Sequence, residues 1–405
     1  MEDTFFKKIA RRILLVTFVL PLLLVMKLIA VFYPYQFVLL GSRRIGHLAV
    51  ESELLLRRQY KKSRGTPSYI YVENPRVQIS NVYLYQLVKK HFSIIRSYYF
   101  FNFIQKYRYH SLIKLFNLFF IFPDCYDSLV EFAEEGYAPV QLQIPKSDIA
   151  SGREIVRDKF EVDVETDKII CIFARDSQYL SETFPGVNYS HHDYRDVDIQ
   201  TFIKTIDYLT NKGYKVFRMG KIMKNPVEYQ HPNFFDYAFS EHRSDFLDVF
   251  LFHQCYLTIG TTCGLVDLTT IFNRPNLIIG FAPPFDAPTG YNALHIPKKV
   301  CYSDTQEEIS IDKLYDIFLD LEKKYQFTYF DMKRFNFSYV ENTSEEIFLA
   351  TVEMLTRLEG RWHSTQEDQS LEACYLRYWE RVRRDAFLKP SIATSFLKIN
   401  KHLFN

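Results

Sequence analysis

The stretch LTIGTTCGLVDLTTIFNRPNLIIGF, residues 257–281, contains the features from which the fold of this chain is inferred. A short apolar run ends in a Gly-Thr-Thr-Cys-Gly turn, an amphipathic segment follows directly, and a second apolar run begins after Pro275. Short apolar runs that alternate with helical segments are typical of parallel strands buried on both faces of a sheet. The stretch therefore predicts a strand–turn–helix–strand unit of an α/β fold.

The same alternation extends over most of the chain. Strands are predicted at YQFVLLG, PSYIYVENP, KIICIF, YKVFRM and FFDYAF, and helices at HLAVESELLLRRQY, NVYLYQLVKKHF, YDSLVEFAEEG, DIQTFIKTIDYLTNKG and SDFLDVFLFHQ. Gly213 is expected to end one of these helices. Around residues 138 to 156, APVQLQIPKSDIASGREI has the composition of a connection between domains.

We therefore predict two Rossmann-like domains with parallel sheets, over residues 35–150 and 151–365. A membrane-associated apolar segment is expected over residues 1–34, and a basic, aromatic helical tail over residues 366–405. Two such domains facing each other would hold a ligand at the carboxyl ends of their strands.

Composition excludes several classes of function. The chain has 405 residues and a net charge of +2, so no nucleic acid is expected as a partner. The six cysteines are scattered without a C-x-x-C pair, which gives little support for zinc or thioredoxin-type chemistry. Neither a Walker A loop, nor G-x-G-x-x-G, nor G-x-S-x-G occurs, so ATPase, dinucleotide redox and α/β-hydrolase chemistry lack their signatures.

The N-terminus predicts contact with a membrane. Lys7, Lys8, Arg11 and Arg12 precede an apolar run from residue 13 to 33, and basic residues also follow that run. Because the charges lie on both sides, a segment dipping into the cytoplasmic leaflet is favoured over a single crossing, and a buried helix is the third alternative. We expect location at the inner membrane, on its cytoplasmic face. The tail either lies on anionic lipid or packs on the first domain.

Residues suited to anion binding follow the predicted strands. The carboxyl ends of parallel strands share one edge of a sheet, where guanidinium groups and a helix N-terminus would bind phosphate groups. For the second domain these are Arg175, Arg218, Gly220, Arg243, Ser244, Asp245, Gly260, Thr261, Thr262, Gly264 and Asp267. For the first domain they are Gly41, Arg43, Arg44 and Gly46. These four, with Tyr194 and Arg195 of the second domain, are expected to line the acceptor side of the cleft. A plain tight turn with Thr262 as the helix N-cap is the alternative for the quoted stretch.

Two residues are candidates for general base. His47 begins a first-domain helix, and Asp176 directly follows a strand of the second domain. The stretch HHDYRDVD, residues 191–198, contains a D-x-D pair, but Asp198 is better placed as the N-cap of the following helix. No metal or other cofactor is expected, since a second ligand cluster at suitable spacing is missing.

Several motifs together resemble a family of bacterial glycosyltransferases from surface-polysaccharide gene clusters. These are FARDSQYL, the stretch from HHDYRDVD to FRMGK, SDFLDVFLFHQCYLTIGTTCGL and NRPNLI, with SRRIGHLAVESEL as the opening motif. The resemblance covers residues 40 to 285. It implies a GT-B fold, no essential metal, a nucleotide-sugar donor bound by the second domain, and a glycan or lipid-linked glycan as acceptor.

The resemblance also implies site residues. Carried over by position, these are Arg175, Asp176, Tyr194, Arg195, Arg218, Gly220, Ser244, Asp245, Thr261, Thr262 and Gly264. Where a typical GT-B enzyme uses a glutamate to bind the donor ribose, this chain has Asp267.

Two other functions remain open at this point. A nucleotide-sugar 2-epimerase uses the same fold without an acceptor, and a membrane-bound assembly protein could keep the fold without chemistry. Three Asn-x-Ser/Thr triplets, at residues 188, 336 and 342, also leave open a glycosylated, outward-facing protein.

Overall fold

The structure is a computed structural model that describes residue 17 and residues 19–60, 67–121, 140–282, 292–325, 332–382 and 391–404. The described residues form two compact units: those up to residue 121 and residues 140–143 belong to unit 1, and those from residue 144 onward belong to unit 2. The helix expected at YDSLVEFAEEG lies outside the described residues. In the part of the chain that is described, every helix is too short or too polar to cross a bilayer.

Unit 1 is built on a small parallel sheet with the strand order β1-β2-β3. Its strands are β1 Tyr35–Leu39, β2 Ser68–Glu73 and β3 Ser93–Arg96. Its helices are α1 Leu20–Phe32, α2 Ile45–Tyr60, α3 Val82–His91, α4 Tyr98–Tyr107 and α5 Ser111–Lys114. The first two strands and the helices α2 and α3 confirm the βα alternation predicted for this region.

A buried carboxylate fastens residues 140–143 to unit 1. Glu53, on α2, pairs with Arg57 one turn later at 2.8 Å, and both side chains are fully buried. The same carboxylate accepts the backbone N–H groups of Gln141 and Leu142 at 2.8 and 2.7 Å. Burial raises the pKa of Glu53, while these bonds and the Arg57 charge oppose that shift.

Unit 2 contains a sheet of six parallel strands within the described residues, in the order β6-β5-β4-β7-β8-β9. Its strands are β4 Ile169–Phe173, β5 Lys215–Arg218, β6 Phe234–Phe235, β7 Leu257–Thr261, β8 Asn276–Phe281 and β9 Ala293–Pro297. This is the strand order of Rossmann-type sheets, in which the direction of winding reverses between the first and fourth strands. The α/β class with parallel sheets is confirmed.

The reversal places the ends of β4 and β7 side by side. The register pairs Phe173 with Gly260, and a Cβ at residue 260 would come within 2.6 Å of the Phe173 carbonyl oxygen. A glycine is therefore required for the two strands to approach here. The crevice that such a reversal opens at the carboxyl ends is the usual ligand site of an open α/β sheet.

Helices cover the sheet of unit 2, and a separate two-stranded antiparallel sheet follows it in the chain. The helices are α6 Lys146–Phe160, α7 Gln178–Thr183, α8 Ile203–Asn211, α9 Asp245–Gln254, α10 Gly264–Ile271, α11 Ile311–Tyr325, α12 Ser344–Leu358, α13 Gln366–Val382 and α14 Thr394–Ile399. The antiparallel pair consists of β10 Lys299–Tyr302 and β11 Phe337–Val340. As expected, Gly213 follows α8 with a φ of +87° and Asp198 caps a 3₁₀ turn through Gln200 N at 3.0 Å.

Two expected local structures differ in part from the observed ones. The boundary between the units lies after residue 143, inside the connection predicted around 138–156, but residues 146–156 form most of α6, where a Cβ at residue 152 would come 2.5 Å from the Phe250 ring. Its glycine therefore allows close helix packing, and Pro145 stands just before the helix, where no backbone N–H is needed. The segment FFDYAF forms only the two-residue strand β6 and a 3₁₀ turn.

The described tail residues pack onto the core of unit 2. Tyr375, Phe396 and Leu397 are at most 2 % exposed and belong to the main apolar cluster beneath α12 and the sheet. Glu353 accepts the backbone N–H groups of Thr394 and Ser395 at 3.1 and 2.8 Å. These residues therefore contribute to the stability of unit 2.

Candidate anion-binding site

The turn predicted at residues 260–264 begins later than the sequence indicates, because β7 extends through Thr261. Gly260 and Thr261 are the last residues of β7, and α10 begins at Gly264 with Cys263, not Thr262, as its N-cap. The Cys263 side chain makes no capping hydrogen bond, and burial raises its pKa to about 11. Residues 262–267 are half-buried, whereas the rest of α10 is buried. The first turn of α10 is therefore the part that faces away from the core.

Thr261 ties this turn to the end of β4. Its side chain is fully buried, and its Oγ1 accepts the backbone N–H of Arg175 at 2.7 Å. The carbonyl of Arg175 in turn accepts the N–H of Val197 at 3.1 Å. The backbone of Arg175 is thus fixed between β7 and the segment that carries residues 190–197.

The Arg175 guanidinium is close enough to Cys263, the N-cap of α10, to interact with it electrostatically. The side chain is 8 % exposed and forms an ion pair with the carboxylate of Asp196. Its Nη2 has no hydrogen-bond partner within the described chain. Burial lowers the pKa of Arg175, the charge of Arg195 lowers it further, and Cys263 acts in the opposite direction. Two cations therefore share a desolvated space beside the helix end.

Lys298 adds a third cation that sequence reasoning missed. It follows β9 directly, is 1 % exposed, and donates from Nζ to the Asp196 carbonyl oxygen at 2.8 Å. It also pairs with the half-exposed Glu341. Burial lowers the pKa of Lys298, Glu341 opposes this shift, and the nearby Arg175 adds to it.

Two further polar atoms at this place lack partners among the described residues. The Nε of Arg195 and the Oγ1 of Thr262 are both buried without a hydrogen bond. An unpaired buried donor costs free energy, roughly 1–3 kcal/mol, unless a ligand or water satisfies it. Together with the N–H groups of a helix N-terminus, these donors are suited to an anion with several oxygen atoms.

Other predicted arginines are bonded elsewhere in unit 2. Arg218 is 1 % exposed and donates to Asp236 and to the carbonyl of Asn225, each at 3.2 Å. Its prediction as a phosphate ligand stays a prediction. Gly220 is buried two residues later, where a Cβ would come 2.6 Å from the flexible Met223 side chain.

Arg243, the third predicted arginine, lies in a cluster of acidic side chains. Arg243 pairs with Asp245 at 2.9 Å and with Asp248, and Lys221 donates to Asp245 at 3.1 Å. Burial raises the pKa of Asp248 to about 6, against the opposing charge of Arg243. Ser244 caps α9 by accepting from Leu247 N at 3.1 Å. The prediction of Arg243 as a phosphate ligand therefore also stays a prediction. We refer to Arg175, Arg195 and Lys298 as the cation group, because Arg175 and Lys298 both bind Asp196 and Arg195 interacts electrostatically with Arg175.

The remaining predicted residues of unit 2 surround this group or organise its loops. Asp176 accepts the N–H groups of Gln178 and Lys224 at 3.0 Å each, so both of its carboxylate oxygens are engaged. Asp267 lies in the first turn of α10, and the Tyr194 ring is 5.7 Å from that of Tyr339.

In unit 1, the predicted residues form one turn at the start of α2. The Nδ1 of His47 lies 2.7 Å from Glu51 Oε1, and a Cβ at Gly41 would come 2.7 Å from the His47 Cβ. Gly46 is buried, whereas Arg43 and Arg44 are exposed. Because a carboxylate only accepts, Glu51 holds the proton of the imidazole on Nδ1. A base oriented in this way by a carboxylate is a common catalytic arrangement.

Metal binding was predicted to be absent, and this stays a prediction. Within the described residues, no group of three or more His, Cys, Asp or Glu side chains is placed to hold a metal ion. The D-x-D pair is divided between two roles, since Asp196 pairs with Arg175 and Asp198 caps a turn. Asn342 of one Asn-x-Ser/Thr triplet is 2 % exposed and accepts Gly280 N at 2.9 Å, so its side chain has a structural role.

No protein-family model and no curated protein matches the chain. Among solved structures, the chain is similar to E. coli ADP-heptose lps heptosyltransferase II, at 13% identity over 64% of this chain and 90% of that chain, with a TM-score of 0.41. A glycosyl transferase family 9 structure from Veillonella parvula matches at 12% identity over 80% and 98%, with a TM-score of 0.43. E. coli heptosyltransferase WaaC with ADP matches at 11% identity over 65% and 93%, with a TM-score of 0.36. Such low values carry no conclusion about this chain.

Proposed function

We propose that this protein is a glycosyltransferase whose unit 2 binds the diphosphate of a nucleotide-sugar donor. The observation that carries the proposal is the cation group beside α10, at the point where the sheet order reverses. Arg175, Arg195 and Lys298 would bind the phosphate oxygens together with the first N–H groups of α10 and the Thr262 hydroxyl. As the sugar leaves, these donors would stabilise the charge that develops on the diphosphate.

In this proposal the donor competes with Asp196. The terminal nitrogens of Arg175 are closed to solvent, and one of them is paired with the Asp196 carboxylate. An incoming phosphate would therefore take the place of that carboxylate on the guanidinium. Asp196 would act as an internal counter-ion that is released when the donor binds.

The preference for sugar transfer over other uses of a nucleotide follows from the motif resemblance of residues 40 to 285. The acceptor would be a hydroxyl of a surface glycan under assembly, in a free or lipid-linked form, and the fold would be GT-B. His47, oriented by Glu51, is proposed as the general base. It is favoured over Asp176, whose two oxygens already accept backbone N–H groups.

The test is to measure nucleoside diphosphate release from a panel of ADP-, UDP-, GDP- and dTDP-sugars, with and without extracted membrane glycolipid. We expect one donor class to be turned over and Arg175→Ala to abolish the release. Arg153→Ala is the matched control, since Arg153 pairs with Glu165 at the surface of unit 2. An epimerised sugar nucleotide formed without acceptor would replace the proposal with a 2-epimerase, and failure to bind any nucleotide would replace it with a non-catalytic role.

A further inference from the structure

Helix α1 of unit 1 presents an apolar face to the outside. Leu22, Leu24, Val25, Leu28, Val31 and Phe32 are between 53 and 79 % exposed. The single charged residue of α1, Lys27, is half-buried on the side of Leu23, Met26 and Ala30, so the exposed positions from residue 21 to 34 carry no charge. A helix on the surface of a water-soluble domain has the reverse pattern, with polar side chains outward.

The opposite stripe of α1 holds it on unit 1. Leu23 is 2 % exposed and packs with Met26 and Ala30 against the cluster around Phe37 and Ile104. The hydroxyl of Tyr35 donates to the Met26 carbonyl oxygen at 3.0 Å. Because the spacing of the inward residues follows the helical repeat, the exposed face cannot turn inward without breaking these contacts.

The width of the exposed face identifies its partner. A second helix or a groove covers a stripe of about two positions per heptad, whereas here all sides of α1 except the Leu23–Ala30 stripe are exposed. A lipid phase surrounds a helix continuously and can cover such a wide face. Phe32 and Tyr33, 79 and 76 % exposed, end the helix with the aromatic residues that favour the boundary between lipid and water.

The basic residues that precede α1 also favour a lipid surface as its partner. In the sequence, Lys7, Lys8, Arg11 and Arg12 come shortly before α1. Clustered basic residues next to an apolar helix favour an anionic lipid surface, and a dimer contact would gain nothing from them. We propose that the exposed face of α1 binds unit 1 to an anionic lipid bilayer.

The experiment is flotation of the full-length protein with vesicles of equal parts phosphatidylcholine and phosphatidylglycerol. We expect the parent to float with the vesicles and Leu24→Ser/Leu28→Ser to bind at least about tenfold more weakly, because it loses two inserted side chains. The control Val187→Ser/Ile399→Ser removes two apolar side chains that are 53 and 44 % exposed on unit 2. It should float as the parent does.

A second variant tests the proposal by a gain of fluorescence signal, in case Leu24→Ser/Leu28→Ser does not fold. In Leu28→Trp, the tryptophan emission should shift to shorter wavelength on addition of vesicles, and the parent should show no such shift. Floating of Leu24→Ser/Leu28→Ser at the level of the parent would overturn the proposal, as would an unshifted Leu28→Trp. A parent dimer that becomes monomeric in Leu24→Ser/Leu28→Ser without any vesicle binding would assign the face to a second copy. Nucleotide binding measured on the same samples distinguishes this outcome from a failure of the donor site.

Discussion

The guanidinium of Arg175 is paired with the carboxylate of Asp196 beside the N-terminus of α10. The backbone N–H of Arg175 is bonded to Thr261, at the end of β7, and the Asp196 carbonyl accepts from Lys298, after β9. One ion pair therefore connects the ends of three strands of the same sheet. Its acidic member is placed where the proposed phosphate would bind.

The two adjacent threonines of the turn should behave differently. Thr261→Ala removes the acceptor for Arg175 N–H and leaves a buried donor unpaired, so we expect a loss of about 1–2 kcal/mol in the free energy of unfolding. Thr262→Ala removes a hydroxyl without a partner, so stability should change by less than about 0.5 kcal/mol. Nucleoside diphosphate affinity should instead fall roughly threefold to tenfold in Thr262→Ala. Denaturant unfolding and calorimetry would measure both effects, and a destabilised Thr262→Ala with normal affinity would reverse the assignment.

Binding of the donor should be linked to the protonation of Lys298. Burial lowers the pKa of this amine, against the opposing charge of Glu341. A bound diphosphate would favour the charged form and raise that pKa, so binding takes up protons and the affinity falls as the pH rises towards the ordinary lysine pKa of about 10.4. Calorimetry at about pH 9 in two buffers of different ionisation enthalpy measures the uptake. Lys298→Met should abolish it, and an unchanged proton uptake in that variant would exclude this role for Lys298.

The proposed base should affect turnover and not donor affinity. His47→Gln should lower kcat by about 10²–10⁴, the usual contribution of general base catalysis. Glu51→Gln should lower kcat by a smaller factor than His47→Gln does, because Glu51 acts by orienting the imidazole. His91→Gln, a substitution of an exposed histidine of the same unit, is the control. Parental turnover in His47→Gln would contradict the assignment.

A buried histidine should make unit 2 sensitive to acid. His295 is fully buried between the carbonyl of Ser391 and the hydroxyl of Tyr375, and burial lowers its pKa to about 4. The unfolded chain binds this proton near the ordinary pKa of about 6.5. The contribution of neutral His295 to the free energy of unfolding is therefore fully present above that pH. It is lost as the pH drops towards 4, by about 3 kcal/mol in total. Thermal unfolding from pH 7 to 4 of the parent and of His295→Gln would test this, with a flatter profile expected for the variant. Equal profiles would contradict the assignment.

The sequence predicted β4, β7 and β8 of unit 2 well because each is a short apolar run between helical segments. It failed at α6, whose helix has few apolar residues and carries a packing glycine that resembles a loop signal. The pattern also did not identify β9, so Lys298, which follows this strand, was not predicted as a site residue. Because β9 is buried at nearly every position and ends in Pro297, it lacks the alternation of apolar and polar residues by which a strand is recognised.

The position of the candidate site could be predicted from the sequence, but the ion pairs that its side chains form could not. That Arg175 follows β4 and that a helix begins after β7 can be inferred from the pattern, and the parallel sheet brings the two together. Whether a guanidinium then contacts a ligand or an acidic side chain depends on distant residues, as Arg218 with Asp236 illustrates. The role of Lys298 depends on the strand order, which brings the end of β9 to the same edge, and no local motif encodes that order.

In the proposed donor site, Asp196 holds the place of a donor phosphate on Arg175. The direct measurement is titration calorimetry of the parent, Arg175→Ala and Asp196→Asn with the nucleoside diphosphate of the donor that the panel identifies. We expect Arg175→Ala to bind at least about tenfold more weakly, from the loss of a charge-assisted bond, and Asp196→Asn to bind more tightly than the parent. Unchanged affinity in Arg175→Ala, or weaker binding in an Asp196→Asn protein of parental stability, would contradict the claim.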